Sequence, residues 1–395
     1  MTYVSRTIPQ VRTGADQLEE ASATVFAGAR VGLVTCAAAL DSKFVPTVDR
    51  CGALTDAKLT ALFACEHGIR GERQAGVLFG DETDPRFGVP VFSLYGDTKK
   101  PTEAMLSHVD VVLFDIQDIG VRFFTYLATL SYVMEACAQV GKALIVLDRP
   151  NPFGGNGCEG GKLVPGFESF VGIAPVPFLT GMTLGEFAMY MNSRLEKPCE
   201  LKVVRLEGWR RTMGFAETGL PWIMTSPNTP TLDSCRVYPG TCLFEGTNVS
   251  EGRGTTRPFE LVGAPWLDGS RLAAEMNRQS LPGVHFQPVY FTPTFSKHQG
   301  ELCSGVQLYV TDPASFRAVE TGLRLVHQAS RLAPDRFDWI PPFKEGRKPF
   351  IDYLSGSELV RTQAHDAQEV ERIVERWNLE ADEWKREREP YLLYE

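Results

Sequence analysis

No run in this chain approaches the ~18 apolar residues that a membrane-spanning helix requires. Residues 1–10 carry neither the basic nor the apolar segment of a secretory signal. As it stands the chain is expected in the cytoplasm, with an exported form only if a signal has been trimmed. Positive charge is in deficit: 40 Lys and Arg stand against 49 Asp and Glu, for a net charge of −9. Nucleic-acid backbones are bound by clustered Lys and Arg, so nucleic acid is not an expected partner, although a local basic pocket for a small anion stays open. No Cys-x-x-Cys pair occurs, and the nine cysteines are scattered and odd in number. That pattern speaks against a zinc cage or a disulfide framework and for buried free thiols. The His-Glu-x-x-His pattern is absent, so neither a catalytic metal nor another cofactor is expected. There is no internal repeat and no low-complexity tract.

What is present is globular composition, 43% hydrophobic and 23% charged over 395 residues, enough for two domains and an ample core. Apolar runs at 30–35, 60–64, 89–94, 109–114 and 143–147 read as strands. A short helix is expected at 54–59 and a longer one at 126–140, closed by Gly141. Continuous apolar strands alternating with helices imply a mostly parallel sheet covered on both faces, hence a Rossmann-like, doubly wound α/β domain. A helix at 183–192 opens on a Thr183-x-x-Glu186 capping box, and a strand follows at 201–206. Residues 150–180 and 219–268 are rich in Pro and Gly and read as long functional loops. A helix at 270–279, strands at 284–291 and 305–311 and a helix at 313–333 suggest a second, smaller α+β domain. The boundary is placed between 1–260 and 261–395.

Ligands of open α/β sheets bind outside the carboxyl ends of the strands. Directly after three successive strands come Glu66-His67 with Arg70, then Asp115, Gln117 and Asp118 with Arg122 and Tyr126, then Asp148, Arg149 and Asn151. Three such clusters on one rim point to a shared site. Carboxyl groups there suit glycoside hydrolysis, in which one protonates the leaving oxygen and another acts as nucleophile or activates water. Alternatively the substrate's own N-acetyl group supplies the nucleophile. Glu66 and Glu159 form the candidate pair. Glu159 is chosen for its Gly-rich loop, 154–161, where backbone can approach a ligand. Asp115, Asp118 and Asp148 remain competitors. Gly155-x-Gly157-x-x-Gly160 matches a dinucleotide fingerprint in letters only, because flanking prolines exclude the required helix start. A second polar cluster, Asn228 followed by Glu245, Asn248, Glu251 and Arg253, has the amide, carboxylate and guanidinium groups that fix sugars.

The stretches CEHGIRG (65–71), DVVLFDIQDIGVRFFTY (110–126), VLDRPNPFGG (146–155), GMTLGEFA (181–188), GLPWIMTSPNTPT (219–231), EGTNVSEGRGT (245–255) and SKHQGELCSGVQLYVTD (296–312) together resemble the NamZ-type exo-β-N-acetylmuramidase family. The likeness runs over nearly the whole chain. It implies release of terminal N-acetylmuramic acid from the non-reducing end of peptidoglycan fragments, in a cleft between a Rossmann-like domain and a smaller one. It also implies catalytic roles for Glu66 and Glu159. The lactyl carboxylate of muramic acid suits a bidentate arginine, with Arg70, Arg122, Arg149 and Arg253 as candidates. Three positions depart from the family: Cys36-Ala37-Ala38-Ala39 after the first strand, Cys65 before Glu66, and Thr180 before Gly-Met-Thr. The first and third remove polar groups from strand ends, which leaves the hydrolase class standing and the exact sugar open. Competing readings are a glycosidase for another N-acetyl sugar, a non-glycosidic hydrolase such as a metal-assisted one, and a sugar-binding protein without catalysis.

Overall fold

The computed structural model describes residues 11–395; the reading of residues 1–10 lies outside the described residues. Seven strands form the first sheet: β1 (Arg30–Thr35), β2 (Lys58–Ala64), β3 (Glu82–Thr83), β4 (Pro90–Ser93), β5 (Val111–Asp115), β6 (Ala143–Leu147) and β7 (Leu201–Val204). Their spatial order is β3-β4-β2-β1-β5-β6-β7. Every pairing is parallel except the β3–β4 edge. The central strands are buried on both faces, which is why they read as unbroken apolar runs. The helix Tyr126–Val140 ends where Gly141 takes a left-handed φ of 69°. The helix Leu184–Asn192 opens on the expected Thr183–Glu186 capping box.

A second, antiparallel sheet is built from β8 (Leu261–Ala264), β9 (Val284–Phe291) and β10 (Cys303–Val310) in the order β8-β10-β9. The helices Gly269–Arg278 and Ala318–Leu332 pack in this half. The last long helix, Ala367–Glu387, returns to the first half. There Trp384 donates its indole N–H to the Thr180 carbonyl at 2.8 Å, and beyond the helix the Tyr394 hydroxyl donates to Asp148 at 2.5 Å. All nine cysteines are buried and unpaired. Among the described residues, no helix is long and apolar enough to cross a membrane.

Three expected elements are corrected. The short helix lies at Thr47–Gly52, not 54–59, and residues 58–59 already belong to β2. Residues 219–268 are not one loop: they hold the helix Leu232–Thr241, the 3-10 turn Cys242–Gly246 and β8. Thr231 caps that helix by accepting the Ser234 N–H, and the helix tolerates Pro239 near its end. The helix expected from 313 starts at Ala318. Before it, Asp312 takes the Ala314 N–H and the Ser315 hydroxyl into a turn that competes with helix.

Candidate active site

A cleft of about 1160 Å³ opens where the carboxyl end of β2 faces the second half of the chain. Glu66 lines it, two residues beyond β2. The chain turns sharply there, with His67 and Gly68 both left-handed at φ 76° and 77°. For the non-glycine His67 this conformation is strained. Glu66 Oε1 accepts the Gly76 N–H at 3.0 Å, and Oε2 accepts the Thr125 hydroxyl at 2.9 Å. Tyr95 lines the same cleft; burial and the Glu66 charge push its pKa up. His67 is buried and its Nδ1 lies 3.1 Å from the Arg73 carbonyl. Burial lowers the His67 pKa against the pull of Glu66. Beside Glu66 a smaller recess of about 50 Å³ is walled by Phe123, Phe124, Tyr238, Phe259 and Asn228. Asn228 is 4% exposed and its Nδ2 has no hydrogen-bond partner.

The opposite wall carries a charge network. Arg253 donates to Glu245 at 2.5 Å and lies 3.3 Å from Glu251, which Lys297 contacts at 2.7 Å. Burial alone would raise the Glu251 pKa, but Lys297 and Arg253 hold it below its ordinary value. Burial likewise works against the Arg253 charge, and Glu245 and Glu251 outweigh it.

Of the sequence candidates, Glu66, Asn228, Glu245, Glu251 and Arg253 line the cleft, and His67 and Tyr126 line the recess with Glu66 and Asn228. The rest of the rim is spent on structure. Arg149 forms a fully buried ion pair with Asp115 at 2.5 Å, and Thr47 donates to the same carboxylate. This pair occupies the place where the strand order reverses, leaving there a cavity of only about 30 Å³, lined in part by Gln117 and Arg149. Gln117 Nε2 donates to the Asp118 and Pro150 carbonyls. Asp148 accepts from Thr183, Gly185 and Tyr394, and burial raises its pKa to about 6. Asp118 accepts the Gly120 N–H, and burial raises it to about 7. Arg122 donates to the Gly161, Val176 and Leu354 carbonyls. Asn151 donates to the Met182 carbonyl, Asn248 ties to Arg336 and Asp338, and Arg70 pairs with Asp84 at 2.6 Å.

Glu159 is not brought to the Glu66 cleft. It is buried against the start of the helix Ala318–Leu332, where it accepts the Glu320 N–H at 2.9 Å and lies 3.8 Å from Arg317. The glycines beside it serve packing: a Cβ on Gly160 would strike Phe178, and one on Gly161 would strike Trp377. The departures at Cys36 and Thr180 also fall outside the cleft. Cys36 lies near the Arg149–Asp115 pair, and Thr180 is held under Trp384. Cleft residues the sequence reading missed are Tyr95, Lys99, Thr125, Phe170, Tyr238, Lys297 and the basic segment Lys344, Arg347 and Lys348. Among the described residues, no three His, Cys, Asp or Glu side chains converge as a metal ligand set.

The family profile of the N-terminal part of exo-β-N-acetylmuramidase NamZ matches residues 31–233, and that of its C-terminal part matches residues 236–394. The chain is 46% identical over 386 residues to the peptidoglycan β-N-acetylmuramidase NamZ of Bacillus subtilis (strain 168), covering 98% of this chain and 92% of that one. A crystal structure of a DUF1343 family protein from Bacteroides fragilis NCTC 9343 superposes with a TM-score of 0.89 at 36% identity, over 98% of this chain and 100% of the other. A second DUF1343 family protein of that organism gives 0.77 at 29%, over 98% and 99%. Matched along both halves of its length, the chain belongs to the exo-β-N-acetylmuramidase NamZ family.

Proposed function

We propose that the protein is an exo-β-N-acetylmuramidase that removes terminal N-acetylmuramic acid from the non-reducing end of peptidoglycan fragments, with Glu66 as its acid/base. The observation that carries this reading is the lone position of Glu66 in the cleft. It is the one cleft-lining carboxylate with no ion-pair partner among the described residues, whereas Glu245 and Glu251 are held by Arg253 and Lys297. Glu66 is therefore free to give a proton to the departing glycosidic oxygen, and its carboxylate then takes back the proton lost by the water that adds at C1. The Gly76 N–H and the Thr125 hydroxyl stabilise the carboxylate between the two transfers. The recess beside it accepts the acetamido group. Its methyl packs against aromatic faces, and the unpartnered Asn228 amide pairs with its N–H and carbonyl.

The test is release of 4-nitrophenol from its β-N-acetylmuramide, with the β-N-acetylglucosaminide as control. The muramide should be cleaved in preference. Glu66→Gln should lower kcat by about 10²- to 10⁴-fold, and Asn228→Ala should raise KM by about tenfold. Folded protein that cleaves neither glycoside, or a Glu66→Gln variant of undiminished rate, would defeat the proposal.

A further inference from the structure

Muramic acid differs from glucosamine by an O-lactyl group, whose carboxylate must leave water as the sugar enters the cleft. Burying that charge without a partner is costly. The four arginines that the sequence offered for it are already committed: Arg70 to Asp84, Arg122 to three carbonyls, Arg149 to Asp115, and Arg253 to Glu245 and Glu251. Lys297 is committed as well, to Glu251 and to the Phe244 and Val249 carbonyls.

Lys99 is not. Its half-buried ammonium lies in the cleft, 3.7 Å from the Phe170 ring centroid and 5.1 Å from that of Tyr95. Among the described residues no carboxylate is within ion-pair distance of it. Ring faces attract a cation but leave its three N–H donors without an acceptor. Burial lowers the Lys99 pKa while the Glu66 charge pulls it back, as fits a partly desolvated cation that an arriving carboxylate would stabilise. Tyr95 lines the cleft together with Glu66, and its ring faces Lys99. In a sugar with its C1 at Glu66 the C3 lactyl group stands about one ring-width from C1, and Lys99 lines that same cleft. We infer that Lys99 is the specificity-determining residue that pairs with the lactyl carboxylate and so separates muramic acid from N-acetylglucosamine. This rests on the muramidase reading above.

The experiment compares 4-nitrophenyl β-N-acetylmuramide as the free acid and as its lactyl methyl ester, which has no charge to pair. The readout is the acid-to-ester ratio of kcat/KM. Lys99→Met should lower this ratio by about 10- to 100-fold, mainly through KM for the acid, and Lys99→Arg should restore most of it. Equal thermal unfolding of the variants checks their folding. An unchanged ratio in Lys99→Met overturns the inference. So does a ratio that collapses instead in a variant combining Lys344→Ser, Arg347→Ser and Lys348→Ser. If the wild type cleaves neither compound, the glycosidase reading fails on its own, and calorimetric binding of N-acetylmuramic acid against N-acetylglucosamine tests Lys99 directly. Loss of that discrimination in Lys99→Met supports the inference, and equal binding of both sugars by the wild type overturns it.

Discussion

At Glu159, burial and hydrogen bonding pull in opposite directions. Burial pushes the carboxyl up to about 7 against the Arg317 charge and the Glu320 N–H. Between its ordinary value of 4.5 and about 7 the folded chain therefore holds a proton that the unfolded chain has released. Stability must fall as pH rises through that window and level off above it. The loss is of order 3 kcal/mol, since each tenfold difference in proton affinity between the folded and unfolded chains is worth about 1.4 kcal/mol. Glu159→Gln cannot titrate. Measured by urea unfolding at pH 4.5 and 8, the variant should gain on the wild type by about that amount at the higher pH. Asp118 and Asp148 are raised by the same cause, so a shallower slope of the same sign should persist in the variant. Parallel profiles would show that Glu159 is ionised in the fold. The same residue marks the limit of reading a site from sequence. Residue type and strand-end position picked out Glu66 correctly as a cleft residue, but they do not reveal commitment. Asp115, Asp148, Arg122 and Arg149 look as chemical as Glu66 until their partners are known, because a buried charge must find partners somewhere. Lys99 escaped notice for the converse reason: a lysine in the polar stretch 95–101 reads as a solvated side chain.

The elements legible in the sequence were those whose pattern had one physical cause. Strands β1, β2, β5 and β6 are buried on both faces, and the helices at 126–140 and 184–192 carry their own stop or start residue. The helix Leu232–Thr241 was not legible, because Pro239 and its polar residues match the loops around it. Its burial comes from packing on the helix Ala318–Leu332, a contact across about 90 residues of chain. The glycine-rich loop 154–161 shows the same dependence on distant partners, since Gly161 is required by the ring of Trp377 on the returning helix Ala367–Glu387. Gly161→Ala should therefore force that helix away from the first half and cost about 1–3 kcal/mol in chemical unfolding. Gly80→Ala, where an added Cβ meets nothing within 4 Å, should cost within about 0.5 kcal/mol. Equal costs at both sites would show that the returning helix is not packed on this loop.

Over the whole molecule, net charge and cleft charge have opposite signs. The chain carries −9, yet the cleft is lined by Lys99, Arg253, Lys297, Lys344, Arg347 and Lys348 against three carboxylates. An anionic saccharide is thus drawn to the cleft itself, whose low-dielectric walls focus the local positive field above that of the net charge. Among the described residues Lys344, Arg347 and Lys348 have no ion-pair partner, and Lys348 lies 4.0 Å from the Phe167 ring centroid, so their field is not cancelled locally. Salt shortens the reach of that field from about 30 Å at 0.01 M to about 8 Å at 0.15 M. For peptidoglycan fragments bearing several carboxylates, kcat/KM should fall by about 3- to 10-fold over this range. The fall should be small for the uncharged lactyl ester. Replacing Lys344, Arg347 and Lys348 with Ser should flatten the dependence for the anionic fragments while leaving the acid-to-ester preference set at Lys99. Stopped-flow or progress-curve rates across a salt series would read both. An unchanged salt slope in that variant would mean that the segment does not steer substrate, and that capture depends on the inner wall around Lys99, Arg253 and Lys297.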